Sequence, residues 1–361
     1  MKAKWVIIIL IFLLLIAVSF LFKEKESIAV GIITSINSGT VVSSSEVNAA
    51  EFFIEENNIK SFLPRVVNDN WDPELTIEVT QGAINKGMNL FISSHPSKCA
   101  IASMHLFQDG KAFLINCASA SPELSGRDDY IFRIISDAIE EQNAIADYIQ
   151  HLEGKKLLVV QDDSNLAYTK PAFEYFSKRL LSHHKWTIVK QSFTISRFKP
   201  EDYKELFKQD FDALYILGGS FQSAIGNIAQ YFYMFHPDDP VILTPWSRSP
   251  SILDISGPAL KNIILTSSFP AKKENQTLSD YINRFQKRYN YAPHAMNFGV
   301  RQAMELYEQA IRKGHKTPEA IKQYLLSEPV HHTSLGNISF DKNGDVKQKY
   351  YFIRNVENEL K

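Results

Sequence analysis

The chain has 361 residues, 45% hydrophobic and 22% charged, with 15 Gly, 15 Pro and 2 Cys. That composition excludes collagen-like, disordered and disulfide-stapled classes, and it predicts about two globular domains at roughly 150 residues each. With 39 Lys plus Arg against 40 Asp plus Glu, the formal net charge is -1, so no broad positive field draws in nucleic acid and no nucleic-acid partner is expected.

Lys2 and Lys4 precede an uncharged stretch rich in Ile and Leu, Trp5 to Phe22, which Lys23-Glu24-Lys25-Glu26 closes. At about 1.5 Å rise per helical residue, it lies at the short end of what spans a hydrocarbon core of about 30 Å. A run with no polar face reads as an export signal or membrane anchor, not as a core helix. Ala17-Val18-Ser19 offers the small-x-small pattern of a cleavage site, whereas Phe20, Leu21 and Phe22 continue the apolar run and favour an uncleaved anchor. No Cys directly follows the run, so lipoprotein-type acylation is excluded, and lysines on both sides leave orientation undecided. Residues 1–26 are therefore set apart as signal peptide or anchor, and the rest is placed in the periplasm or outside the cell, with residues 5–22 as the candidate attachment to the membrane.

From Ile28 onward, short apolar runs alternate with segments of helical period, the pattern of parallel sheets covered by helices. Ile28 to Ile33 reads as a strand buried on both faces, followed by a turn at Asn37-Ser38-Gly39 and a helix with Val47, Ala50, Phe53 and Ile54 on one stripe. Arg65 to Val67, Asn89 to Ile92 and Ala112 to Ile115 are the next strands, with helices over Leu75 to Lys86 and Cys99 to Gln108 between them. A second series begins with the helix on Ile139, Gln142, Ala146, Ile149 and Leu152, ending near Gly154. Its strands are Leu157 to Val160, Thr187 to Val189, Ala213 to Leu217, Val241 to Thr244 and Ile263 to Leu265. Helices then run from Leu278 to Tyr289, from Met296 to Gly314 and from Pro318 to Ser327. The strand Gly336 to Phe340, the turn Asp341-Lys-Asn-Gly344 and Gln348 to Arg354 read as a closing hairpin. Asp341-x-Asn343-x-Asp345 lacks the glycine and glutamate spacing of a calcium loop.

No catalytic or cofactor signature is present: there is no phosphate loop, no Gly-x-Gly-x-x-Gly after the first strand, no His-Glu-x-x-His and no Gly-x-Ser-x-Gly elbow. No cofactor is expected, and the chain reads as a binder, not an enzyme. His183-His184 and His331-His332 lack a Cys or carboxylate at ligand spacing, so no metal is expected either. The informative residues sit just past the carboxyl ends of strands, where open α/β sheets bind ligands. They are Ser93-Ser94-His95-Pro96-Ser97-Lys98, Cys117-Ala118-Ser119-Ala120-Ser121-Pro122, Asp162-Asp163-Ser164-Asn165 with Tyr168, Gly218-Gly219-Ser220-Phe221, and Thr244-Pro245-Trp246-Ser247. Any one could cap the next helix; their joint appearance at five strand ends points to a small-molecule site.

An ordered set of segments resembles the type I periplasmic binding proteins, specifically the leucine-binding-protein group that serves ABC transporters. The set runs over nearly all of Ile28 to Lys361. It comprises Val67-Asn-Asp-Asn-Trp-Asp72-Pro73, the Phe91-to-Ser97 loop, Ala118-Ser-Ala-Ser-Pro122-Glu123-Leu124 and Phe132-Arg133-x-x-Ser136-Asp137 with Gln142. It continues with Asp162-Asp163-Ser164 leading to Tyr168, Arg288-Tyr289-x-x-x-Pro293, and Ser339-Phe340-Asp341-x-Asn343-Gly344-Asp345. The resemblance implies two doubly wound, Rossmann-like α/β lobes closing on a ligand, joined by three hinge crossings near Phe132 to Ser136, Ser267 to Ala271 and His332 to Leu335. On that reading residues 27–133 plus 269–333 form the first lobe and 134–268 plus 334–361 the second.

Carried over by position, Ser97 matches the hydroxyl that receives a ligand carboxylate, and Ala118, with Ser119 beside it, the main-chain contact. Tyr168 (or Leu166 if the register slips) matches an aromatic of the second lobe, and Ser220 a position often held by Tyr. Ala120 stands where amino-acid binders usually carry Thr, and Trp246 where they carry the Glu that pairs with the ligand ammonium. A buried ammonium without that carboxylate is costly, so a standard branched-chain amino acid fits poorly and an apolar, aromatic or amide-bearing solute, or a stacked cation, fits better. Lys98 and Arg248 are the basic side chains near these loops, although such loop-end cations are usually solvated. Cys99 and Cys117 would come close in this fold, so a disulfide and free thiols are both open. The leading expectation is an exported solute-binding protein handing a small polar molecule to an ABC transporter permease. A sensor of the same fold signalling to a membrane partner, and an exported hydrolase using Ser220, are the rivals.

Overall fold

A computed structural model describes residues 27–36, 41–219 and 223–361, with only the backbone of 41–43. The expected N-terminal anchor, the turn at Asn37–Gly39 and Ser220 lie outside these residues. Among the described residues, no helix is long and apolar enough to cross a membrane.

Two sheets carry the chain, each in the doubly wound α/β form expected. The first contains β1 (Ile28–Thr34), β2 (Phe62–Asn68), β3 (Leu90–Ser93), β4 (Phe113–Asn116) and β5 (Ile131–Arg133), all parallel and ordered β2-β1-β3-β4-β5. Its apolar runs are continuous because both faces are covered. On one face, Ala49, Ala50 and Phe53 of α1 (Val41–Asn57) pack with Val30, Ile32 and Ile92; on the other, Phe91 and Leu114 meet Val79, Ala83 and Ile84 of α2 (Pro73–Asn85). Asp72 caps α2 by accepting from the amides of Glu74 and Leu75 just ahead of the Pro73 start. The short helix α3 (Ser97–Ser103) follows β3.

The second sheet contains β6 (Lys156–Asp162), β7 (Thr187–Phe193), β8 (Ala213–Leu217), β9 (Val241–Leu243) and β10 (Ile263–Ser267), all parallel. Helices α4 (Ala138–Gln150) and α5 (Leu166–Leu181) cover one part of it through Ile145, Ile149, Ala172 and Phe176, and α6 (Ala224–Tyr233) packs through Ile225, Ile228 and Phe232. After β10 the chain returns to the first lobe as α7 (Gln276–Tyr289), α8 (Ala295–Arg312) and α9 (Pro318–Ser327), where Val300, Met304, Tyr307 and Ile321 complete the first core.

The last segment departs from the expected hairpin. A two-stranded ribbon joins β11 (His331–Thr333) to β12 (Gly336–Ile338), whereas β13 (Tyr351–Ile353) runs antiparallel beside β10 at the edge of the second sheet. Between them the turn at Asp341–Asp345 docks on the first lobe. Phe340 packs against Phe132 at 5.0 Å between ring centroids, and Val346 is buried in the same core. Gly344 holds φ +80 with the site of a Cβ 2.4 Å from the Phe132 ring, so glycine alone fits there. The third crossing therefore falls between Val346 and Tyr351, not at His332 to Leu335, and residues 334–346 pack with the first lobe.

Candidate functional site

The carboxyl ends of the two sheets face each other across a narrow cleft. The first lobe contributes Trp71 after β2, Ser94, His95, Pro96 and Ser97 after β3, and Ala118 after β4. Asn165 and Tyr168 after β6, Gly219 after β8 and Trp246 after β9 come from the second lobe, and Met296 at the start of α8 also borders the space. The space between these walls is about 20 Å³, room for about one water molecule. No Asp, Glu, Lys or Arg is among the described residues lining it.

Asp69 organises the first-lobe wall. Its Oδ1 accepts from the Trp71 amide at 3.0 Å and its Oδ2 from the Thr76 hydroxyl at 3.0 Å and from His95 at 2.8 Å. Burial opposes ionisation of this carboxyl, but the bond and charge of His95, the Trp71 amide and the Thr76 hydroxyl outweigh it and hold Asp69 below the usual carboxylate range. Asn70 and Trp71 both adopt left-handed backbone, φ 51 and φ 56, a conformation costly for a bulky residue unless its surroundings impose it. The Asp69 bond to the Trp71 amide is part of what imposes it, and the turn presents the indole to the cleft.

The second-lobe wall is aromatic. Tyr168 and Trp246 meet edge to face at 6.2 Å between centroids and 87°, a favoured geometry for such rings. Behind Tyr168 lies Glu141 of α4, fully buried, which accepts from the Tyr168 hydroxyl and from Gln142 Nε2 at 2.7 Å. Burial pushes the Glu141 carboxyl up to about 7 against the opposing hydrogen bonds of Tyr168 and Gln142.

The residues singled out from sequence divide accordingly. Ser97, Ala118, Tyr168 and Trp246 line the cleft together. Two of them have polar groups already engaged within the chain: Ser97 Oγ accepts from the Ser121 amide at 3.2 Å, and the Ala118 amide donates to Asn116 Oδ1 at 3.1 Å. Ser119 and Ala120 sit behind the wall. The Ser119 hydroxyl donates to the His95 carbonyl at 2.7 Å, while Ala120 is buried and its carbonyl accepts from the Ala138 amide at 2.8 Å. Arg248 is not solvated: it is buried in an ion pair with Glu359 at 2.7 Å and lies over the Phe298 ring. From sequence, His95 and Asn165 stand out only as members of strand-end loops, and Asp69 and Trp71 only as part of the segment after the second strand, none with a role of its own; nothing in the sequence points to Glu141.

Two wider grooves, about 660 and 1130 Å³, lie on the outer surface of the first lobe. In the smaller, charged groups are paired with one another, as in Arg301 with Glu305, Arg312 with Glu308 and Lys313 with Glu328. Among the described residues, the interlobe cleft combines aromatic walls from both lobes with buried polar atoms that have no partner there, among them His95 Nε2, Trp71 Nε1 and Asn165 Oδ1.

The family profile described as periplasmic binding protein matches residues 27–359. The chain belongs to the periplasmic binding protein family. A search of curated protein sequences found no match. Among solved structures, this periplasmic binding protein is similar to the leucine-binding protein LivK of Thermotoga maritima, with 16% identity, 91% of this chain and 96% of that one covered, and a TM-score of 0.79. A solute-binding protein of an ABC transporter from Rhodopseudomonas palustris, in complex with 3,4-dihydroxybenzoic acid, has 19% identity, coverage of 90% and 92%, and a TM-score of 0.80. The branched-chain amino acid binding protein LivJ of Streptococcus pneumoniae, in complex with isoleucine, has 17% identity, coverage of 92% and 97%, and a TM-score of 0.78. Likeness at these identities establishes the fold; the ligand has to be argued from the cleft.

Proposed function

We propose that the protein captures a small organic acid with an aromatic or apolar body between its two lobes, outside the cytoplasm, and presents it unchanged to an ABC transporter permease. The observation that carries this reading is the make-up of the closed cleft: Trp71, Tyr168 and Trp246 approach from both sides, and no carboxylate among its described lining is available to a ligand ammonium. Glu141 is near, but the Tyr168 hydroxyl bonds to it and it has no exposed surface. An α-amino acid brought into this space would strip water from its ammonium without replacing it by a counter-charge. A planar aromatic body instead gains contact with both walls. The similar protein from Rhodopseudomonas palustris, solved with an aromatic acid, supports this class, while the LivJ complex with isoleucine shows that the fold also serves aliphatic amino acids.

Calorimetric titration with benzoate, its hydroxylated derivatives, leucine and isoleucine tests the reading. Saturable binding of an aromatic acid is expected, weakened roughly tenfold or more in Trp246→Ala through loss of a buried ring. Tight leucine binding with no response to aromatic acids would overturn it.

A further inference from the structure

His95 and Asp69 form a buried pair whose geometry leaves one atom without employment. Both side chains are fully buried, with Nδ1 2.8 Å from Asp69 Oδ2. An ionised carboxylate only accepts, so Nδ1 carries the proton of this bond, and Nε2 is an acceptor on a neutral ring and a second donor on a charged one. The other nitrogen, Nε2, is buried, has no hydrogen-bond partner among the described residues, and belongs to a residue of the cleft wall. Buried polar atoms left unpaired in a native fold call for an explanation, and a ligand that completes them is one.

We propose that His95 Nε2–H is the donor that receives the ligand's carboxylate, with Asp69 neutralising the imidazolium that makes this donation possible. The assignment rests on the solute-binding reading of the cleft and deepens it by naming the atom that recognises the acid. Among the described residues His95 is the one ion-pair partner of Asp69, so the carboxylate stands where it can match a charge on the ring. Donation from a cation to a carboxylate is also the stronger class of hydrogen bond. The Ala118 amide already donates to Asn116, while the Ser97 hydroxyl, which accepts from the Ser121 amide, keeps its own proton as a neutral and weaker second donor beside His95. A purely structural role, pinning the Asp69 turn that presents Trp71, would need Nδ1 alone.

Two isosteres separate these roles. Asparagine places an amide nitrogen near the position of Nδ1, and glutamine near that of Nε2. The full chain and its His95→Asn and His95→Gln variants are titrated with benzoate, 4-hydroxybenzoate and the neutral analogue benzamide, with thermal midpoints measured in parallel. The expected result is a roughly tenfold or larger loss of acid affinity in His95→Asn, most of that affinity kept in His95→Gln, midpoints lowered in both because neither amide carries the charge that faces Asp69, and weak benzamide binding throughout. Acid binding equal in all three proteins would overturn the His95 assignment and leave the solute-binding reading standing. Acid affinity lost to the same degree in both variants would mean that His95 acts only by holding the Asp69 turn, again overturning the assignment. Benzamide bound as tightly as benzoate would overturn the carboxylate as the recognised group, and failure of the unaltered chain to bind either acid would overturn the aromatic-acid reading itself.

Discussion

Arg133, the last residue of β5, and Asp345, in the turn that precedes the final crossing, form an ion pair at 2.7 Å across 212 positions of sequence. Arg133 is almost wholly buried and also donates to the Ser121 carbonyl at 3.2 Å, while Asp345 accepts from the Gly126 amide at 2.7 Å. The pair thus fastens the first lobe where the chain leaves it for the second and where it makes its last return. Breaking a buried pair from one side leaves the other charge uncompensated. Asp345→Ala is expected to lower stability by roughly 3 kcal/mol, the low end for such a pair because Asp345 keeps some exposure. Denaturant unfolding checks this, and a change below about 0.5 kcal/mol, as at an ordinary surface site, would refute it.

Two buried carboxyls give stability a definite pH dependence. Burial, opposed by hydrogen bonds from Ser94 and Thr34 and helped by the charge of Asp69, pushes Glu46 up to about 8, and Glu141 is pushed to about 7. Each folded-state value lies above the ordinary 4.5, so at intermediate pH the folded chain holds protons that the unfolded chain has released. Stability from these groups is complete below about 4.5 and is lost as pH rises through about 7 and 8. The thermal midpoint is therefore expected to fall from pH 5 to pH 8.5, and Glu46→Gln, which keeps an acceptor for Thr34, is expected to flatten that fall and raise the midpoint at the alkaline end. A lower midpoint for Glu46→Gln at pH 8.5 would refute the sign.

The parts of the fold that were legible in sequence are those whose burial leaves a continuous apolar run. Val30, Ile32 and Ile33 of β1 or Leu214 to Leu217 of β8 are covered on both faces and read as nothing else. By contrast β5 and β13 are three residues long and carry too little pattern to fix a partner, which is why Tyr351–Ile353 was assigned to a local hairpin when it pairs with β10. In the cleft, Ser97, Ala118 and Trp246 were legible because they lie within a few residues of a strand end, and Tyr168 because it sits in the first turn of the helix that follows one. Their neighbours Ser119 and Ala120 follow the same strand end but face inward. The Asp69–His95 pair joins two different strand ends 26 positions apart, and no spacing rule announces such a contact.

Both cysteines are free thiols in buried positions. Their surroundings explain why proximity in the fold does not join them: Cys99 lies beside Thr76 on α2, whereas Cys117 packs against Gly299 of α8, with the site of a glycine Cβ 3.0 Å from its own. Burial pushes the Cys99 thiol up to about 12 and the Cys117 thiol well above its usual value, so the reactive thiolate is scarce near neutral pH. The native chain is expected to react with a thiol reagent at pH 8 only slowly, and the denatured chain to release 2 thiols. No thiols after denaturation without reductant would mean a disulfide.

The cleft as closed, about 20 Å³, cannot admit a benzoate, which needs a pocket several times larger. Entry therefore requires the lobes to part at the three crossings, after Arg133, after Ser267 and between Val346 and Tyr351, or the Trp246 and Tyr168 rings to swing aside. Rings packed edge to face against a buried Glu141 network resist swinging more than hinge segments resist bending, which favours motion of whole lobes. A ligand with contacts on both walls binds a form whose lobes have closed around it, wider at the cleft than this one, better than the open form, and shifts the equilibrium by that difference. Small-angle scattering is expected to show a smaller radius of gyration when a saturating acid is added, with the shift abolished by a cross-link between cysteines introduced at Pro96 and Asn165 on opposite rims. Superimposable profiles with and without a tightly bound acid would place the motion in side chains instead of hinges.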